Sequence, residues 1–253
     1  YDVSNQADRY AVRSRPVEVY LNSNRRDLSS SHYFGVYSFM EKIKRGDDRV
    51  DIARMTPEDN EEPEVTGGYI FKIDRSNDPG DITVAAPGAG TVVLEYPKEP
   101  TGQQRAWLSA QLGRMNSALS RPDPLDLGRD FIDVDSWIDH HILMVFPKNV
   151  DAFRLSGYLH VSRGGTVIRG PIWDYDRSMG STDGRDRDPL AWANSGGDGG
   201  TRYFVNDWYG RLFKGTQVDA AGPPPLGDDE WAVRYRARWR ELRGGPLGTE
   251  NLL

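Results

Sequence analysis

No cysteine occurs among the 253 residues, which excludes a disulfide framework and a thiol nucleophile. That absence fits a protein indifferent to redox state, and it leaves the compartment open. A basic excess is missing too. The formal net charge is -6, and nonspecific nucleic-acid binding, which needs a cationic face, is not expected. No apolar run approaches the roughly 20 residues that span a bilayer, so no membrane span is predicted. Tyr1 opens directly into polar sequence, which does not read as a secretory leader. No internal repeat period is evident.

What is present is enough for a core. Hydrophobic residues make up 37% of the chain and aromatic residues 11%, sufficient for one large domain or two closely packed lobes. The first half is rich in strand patterns. "PVEVYLN" alternates Val17, Val19 and Leu21 against Glu18 and Tyr20, and "YFGVYSFME", "GGYIFKID" and "TVVLEYP" follow. Polar stretches, "RGDDRVD" and "TPEDNEEPE", separate them as solvated loops.

Helical spacing dominates after Pro100. "TGQQRAWLSAQLGRMNSAL" opens with Thr101 and Gln104 at capping-box spacing, and Leu108, Leu112, Met115 and Leu119 form one apolar stripe. "DVDSWIDHHILMVF" predicts a second helix that buries Val134, Ile138, Ile142 and Val145 and ends at Pro147. Asp133 and Asp135 read there as an N-terminal cap and its favourable charges. His140 and His141 point about 100° apart on a helix, so they read as surface or core-edge histidines rather than a shared metal pair. Trp231, Tyr235, Trp239 and Leu242 stripe a third helix whose arginines read as a solvated face. Together these patterns predict an α+β protein.

Chemistry concentrates in "KNVDAFRLSGYLHVSRGGTVIRGPIWDYDRSMG". Gly164-Gly165 is a favoured two-residue hairpin turn between "GYLHVSR" and "TVIRGPIW". Such a hairpin returns the chain from Asp174 and Asp176, at its end, to Asp151, at its start. A carboxylate that orients a hydroxyl beside a metal-binding carboxylate is what phosphoryl transfer needs. The layout is similar to that of protein kinases, with Ser156 where they place an asparagine five residues after the catalytic aspartate. Asn149 is close enough to supply an amide oxygen instead. The plainer reading of Asn149 and Asp151 is turn chemistry. "STDGRDRDPLAWANSGGDGG", without calcium-loop spacing, sits where a kinase places its substrate-facing segment.

"KNVDAFRLSGYLH", "GPIWDYDRSMG", "EKIKRGDDRVDI" and "GGYIFKIDR" together resemble the spore-coat protein H (CotH) kinase family, from about Arg15 to the end of the chain. "ARWRELRGGPL" is similar to that family's C-terminal helix. The resemblance implies a two-lobed atypical protein-kinase-like fold, with a strand-rich lobe over 1–100 and a mainly helical lobe over 101–253. It also implies transfer of the ATP γ-phosphate to seryl residues of a Ser-rich protein with Mg2+ or Mn2+. On that resemblance Asp151 is the catalytic aspartate and Asp174 the metal ligand, with Asp176, Asn149 and Ser156 as further metal candidates. Glu41 and Lys72 are candidates for holding the nucleotide: Glu41 through a phosphate-contacting lysine, Lys72 directly if it faces the cleft rather than solvent. A spore coat, cell surface or secreted location follows from the same resemblance.

Nothing in "YDVSNQADRYAVRSRPVEVYL" matches the family's Arg-Gly-Asn-Ser type loop or its Lys-rich strand, so the first nucleotide-binding elements are expected to be missing from this stretch. The chain is then either a piece of a longer protein or one that has lost its nucleotide clamp. Two functions therefore stand: a metal-dependent protein serine kinase, or a non-catalytic surface or coat protein that keeps the fold as a binding platform. A metal-dependent glycosyltransferase using Asp174 and Asp176 is a third, for which no nucleotide-sugar signal is seen.

Overall fold

A computed structural model describes residues 1–151, 153–180, 207–213 and 229–252. A short helix, α1 (Asp2–Gln6), leads into an antiparallel ribbon of β1 (Ser14–Tyr20) and β2 (Tyr33–Met40). Next come β3 (Tyr69–Ile73), β4 (Ile82–Ala86) and β5 (Gly90–Tyr96), then the helices α2 (Gly102–Leu119), α3 (Pro124–Gly128) and α4 (Val134–Val145). The hairpin of β6 (Gly157–Val161) and β7 (Val167–Arg169) follows, and α5 (Asp207–Leu212), α6 (Glu230–Gly244) and α7 (Thr249–Leu252) complete the described chain. The architecture is mixed α and β, as the patterning predicts.

The larger sheet has the order β4-β5-β3-β6-β7, and every pairing in it is antiparallel. β3 is its centre, buried on both faces, so strands from both halves of the chain share one sheet. Alternation divides the sheet's side chains. Tyr69, Phe71, Leu159 and Val161 join the main core with Leu108, Leu112, Met115 and Leu119 of α2 and Trp137 and Ile138 of α4. Ile70 and Tyr158 face the other way, against Val12, Ile43, Val50 and Ile52. Full burial of a side chain such as Leu112 contributes about 1.5–3 kcal/mol.

Local signals do what their chemistry dictates. The Thr101 hydroxyl accepts from the Gln104 N–H at 3.2 Å, and Gln104 Oε1 accepts from the Thr101 N–H at 3.1 Å, the reciprocal pair that starts α2. Asp133 caps α4 by accepting from the Ser136 N–H at 2.7 Å. The segment before α4 runs along β7, where the Asp133 N–H and the Trp137 Nε1–H both donate to the Val167 carbonyl. That covers a sheet edge that would otherwise present open donors and acceptors.

Two sequence expectations need correction. His140 and His141 are both core residues, 2% and 1% exposed, rather than surface or core-edge positions. The reason is that α4 is buried on every side from Ser136 to Met144: the His141 ring stacks on Phe153 at 5.2 Å and its Nδ1 lies 2.8 Å from the Tyr235 hydroxyl. Burial, with Arg169 and His141 alongside, holds the His140 imidazole well below its ordinary pKa. The arginines of α6 are also more than a solvated face. Arg238 Nε donates to Asp139 Oδ1 at 2.6 Å, and Arg9 Nε donates to Asp139 Oδ2 at 2.6 Å. Asp139, 1% exposed, thereby ties the N-terminal segment and α6 to α4. Asp139→Ala removes the acid that joins Arg9 to Arg238, while Arg238 keeps Glu241 at 2.8 Å and Arg9 keeps Asp133 at 3.9 Å; the loss is expected to cost about 1.5–3 kcal/mol, seen as a fall of a few degrees in Tm. An unchanged Tm would show the arginines fully satisfied by water.

Candidate functional site

The loop after α4 and the loop after β7 meet through one side chain. Asn149, 1% exposed, donates from Nδ2 to the Asp174 carbonyl at 2.6 Å, while its Oδ1 accepts from the Asp151 N–H at 3.2 Å. The Val150 N–H reaches the Arg177 carbonyl at 3.4 Å, and the Met179 N–H donates to the Pro147 carbonyl at 2.9 Å. Phe153, buried against His141 and Tyr209, anchors the first loop from below. The hairpin thus brings the loop that carries Asp151 against the loop that carries Asp174.

Each aspartate has its own surroundings. The half-buried Asp151 accepts from Arg154 Nη2 at 2.7 Å on Oδ1 and from Arg177 Nη1 at 3.2 Å on Oδ2. Asp174 adopts a left-handed backbone, φ 61°, a conformation that costs a non-glycine residue about 1–3 kcal/mol and that collects at functional sites. Its N–H donates to the Tyr1 hydroxyl at 3.2 Å, and its Oδ2 accepts from the Ser156 hydroxyl at 3.0 Å. Desolvation raises the Asp174 pKa against the Ser156 hydrogen bond, and the nearby carboxylates of Asp176 and Asp151 raise it further. Three acids therefore share one field.

The other candidates separate. Lys72, on β3 opposite Tyr158, lies 3.2 Å from Glu95 and 3.3 Å from Asp74, with its ammonium 5.9 Å from the centre of the Tyr158 ring. Tyr158 in turn contacts Trp173 and has its phenol pushed up to about 12 by burial, with Asp174 among the charges that add to it. Lys72 is therefore on the sheet face that leads to Asp174, held among acids rather than loose in solvent.

Glu41 is elsewhere. It pairs with Arg13 at 2.5 Å and Arg49 at 3.1 Å, and the Arg13 hydrogen bond holds its carboxyl down at about 2. The expected lysine partner is replaced by two arginines. Asn149 also differs from expectation: both ends of its amide serve the backbone, which makes it the clamp between the loops rather than a free ligand. The "STDGRDRDPLAWANSGGDGG" segment lies outside the described residues.

Tyr1, Phe153 and Arg177 escaped the sequence reading. Phe153 had a signal, an aromatic residue alone in a polar loop two positions after Asp151. Tyr1 had none, because its contact with Asp174 spans nearly the whole chain.

The donor set suits a magnesium-type ion. Asp174 and Asp176 offer carboxylates and Ser156 a hydroxyl. Among the described residues no group of three or more histidines, aspartates or glutamates is placed to hold a metal ion by itself. Magnesium is typically held by one or two carboxylates and completed by phosphate oxygens and water, so an open set of this size fits it.

Fold and site together define a mixed α and β protein whose two loops, one on either side of a hairpin, are clamped around a cluster of aspartates. The family model described as CotH kinase protein matches residues 1–252, and the chain belongs to that family. Membership points to a kinase-like function. Neither the curated proteins nor the solved structures searched contain a match.

Proposed function

We propose that the chain is an ATP-dependent protein serine kinase of the CotH family. The observation that carries this reading is the Asn149 clamp, which fixes Asp151 and Asp174 in one shared field. In this account the seryl hydroxyl donates to the Asp151 carboxylate, which aims the seryl oxygen at the γ-phosphorus. The new bond forms between that oxygen and phosphorus, the bond to the β-phosphate oxygen breaks, and the hydroxyl proton leaves through Asp151. Arg154 and Arg177 hold the carboxylate in place while it does so. Asp174 and Asp176, with Ser156 orienting Asp174, are the residues that would hold Mg2+ or Mn2+, which when bound supplies charge neutralisation at the phosphates. The kinase-like division into two lobes near residue 100 is part of the same proposal.

Labelled phosphate transfer from ATP to a Ser-rich protein, with and without a chelator, tests the reading. Metal-dependent phosphoserine is the expected result, and no transfer to any Ser-rich substrate would overturn it. The non-catalytic alternative draws on one observation, that both oxygens of Asp151 are already engaged by arginines, and it would be favoured by ATP binding without transfer.

Lys72 is proposed to contact the nucleotide phosphates once they displace one of its acid partners. Lys72→Met is then expected to raise the KM for ATP about tenfold, the loss of roughly one charge-assisted hydrogen bond, with a smaller change in kcat. An unchanged KM with a lower Tm would make Lys72 a structural ion-pair residue.

A further inference from the structure

The chain as a whole is acidic, with a formal net charge of -6, but the root of the β1–β2 ribbon is not. A groove of about 620 Å³ there is lined by Arg13, Arg15, Lys42, Lys44 and Arg49, with Phe39 and Met40 as its apolar part. Glu41, the acid in its wall, is neutralised by Arg13 and Arg49. Among the described residues no carboxylate pairs with Arg15, Lys42 or Lys44, and all three side chains are exposed. Three cations therefore remain to meet an anion from outside.

The strands above the groove are equally uncovered. Phe34, Val36, Tyr37 and Phe39 of β2 are 59%, 63%, 46% and 68% exposed. The ribbon consists of β1 and β2 alone, so among the described residues the outer edge of β2 has no strand beside it. β1 carries Pro16, which lacks an N–H and blunts that edge, whereas β2 has none. An uncovered strand edge with aromatic side chains above a cationic groove suits an extended anionic segment, held by backbone hydrogen bonds along β2 and by charge at its end.

A separate cavity borders the groove at one residue. Arg49 lines both the groove and this cavity, which is walled by Gly170, Pro171 and Ile172, just before Asp174.

We infer that this groove holds a segment of the protein substrate that already carries phosphoserine, so that each phosphate added strengthens the grip on the next stretch. The inference rests on the kinase reading for its occupant, since that reaction creates the matching anion. A phosphoserine brings nearly two negative charges and three acceptor oxygens, and arginine and lysine clusters are its usual receptors.

Fluorescence anisotropy with the full chain and synthetic Ser-rich peptides tests this without catalysis. The peptides are unphosphorylated, phosphorylated at several serines, or carry Ser→Glu at the same sites. The phosphorylated peptide is expected to bind at least tenfold more tightly than the unphosphorylated one, with the Glu form between them. The triple variant Arg15→Glu/Lys42→Glu/Lys44→Glu is expected to lose at least tenfold in that affinity with an unchanged Tm. The milder Arg15→Gln/Lys42→Gln/Lys44→Gln keeps the test valid should charge reversal disturb folding.

Asp174→Asn protein should bind the phosphopeptide as wild type does, which separates this inference from the catalytic one. Equal affinity for phosphorylated and unphosphorylated peptides would overturn it, as would undiminished binding by both triple variants. Displacement by inorganic phosphate at concentrations matching the peptide's own phosphates would also overturn it, by reducing the groove to a simple anion site.

Discussion

Asp151→Asn is expected to lower the turnover of phosphate transfer by about 10²- to 10⁴-fold, the usual range for removing a residue that handles a proton in the transition state. Binding of ATP and metal should change little, because in the proposed mechanism the Asp151 carboxylate acts on the seryl hydroxyl and not on the nucleotide. The substitution is nearly isosteric and its amide oxygen can still accept from Arg154 or Arg177, so the loop should keep its shape. That matters for interpretation, since the two guanidinium contacts at 2.7 and 3.2 Å also anchor the loop. Steady-state kinetics with a thermal scan separates the roles. A fall in kcat at constant Tm and constant ATP affinity supports the catalytic assignment. Full activity removes it, and a parallel fall in Tm, binding and rate makes Asp151 a structural anchor.

Asp174→Asn is expected to abolish metal-dependent activity and also to weaken metal binding, by more than tenfold in calorimetry with Mg2+ or Mn2+ and ATP. The same change should leave the metal-free protein as stable as wild type or more so. The sign follows from the raised Asp174 pKa, caused by desolvation and by Asp176 and Asp151. A carboxyl whose folded pKa lies above its unfolded value contributes stability at low pH and loses it as pH rises through the folded value. At neutral pH the ionised Asp174 is therefore a net cost to the fold, and an uncharged amide removes it. Protons and metal compete for the same oxygens, so wild-type metal affinity should fall as pH drops into the raised carboxyl range. A variant with wild-type metal affinity would place the ion elsewhere, and a markedly less stable metal-free variant would show that the Ser156 hydrogen bond outweighs the repulsion.

The sequence made this site legible where the information was local. The hairpin around Gly164-Gly165, the cap pairs at Thr101 and Asp133, and the acid spacing around Asp174 all depend on neighbours within a few residues, although the turn is wider than two residues, with Val161 the last to pair, against Val167. The stripes of α2 and α4 were readable because helical period alone decides which side chains turn inward. β4 was not recognised, since "ITVAA" lies between glycine-rich turns and declares itself only by pairing with β5. Contacts between distant segments were hidden for the same reason. Tyr1 on Asp174, Arg238 on Asp139 and the arginines on Glu41 depend on how segments far apart in sequence are folded together. Asn149 shows the intermediate case. Its place beside Asp151 was visible, but its work as a clamp requires the Asp174 carbonyl, which only the folded hairpin delivers.

The most direct test of the central claim is the fate of label from ATP carrying ³²P at either the γ- or the α-phosphate, incubated with the full chain, Mn2+ or Mg2+ and a Ser-rich protein. The account predicts label on serine from γ-labelled ATP only, abolished by chelator and by Asp174→Asn and strongly reduced by Asp151→Asn. Label arriving from the α-phosphate, or γ-label transferred equally well by Asp151→Asn, would contradict it.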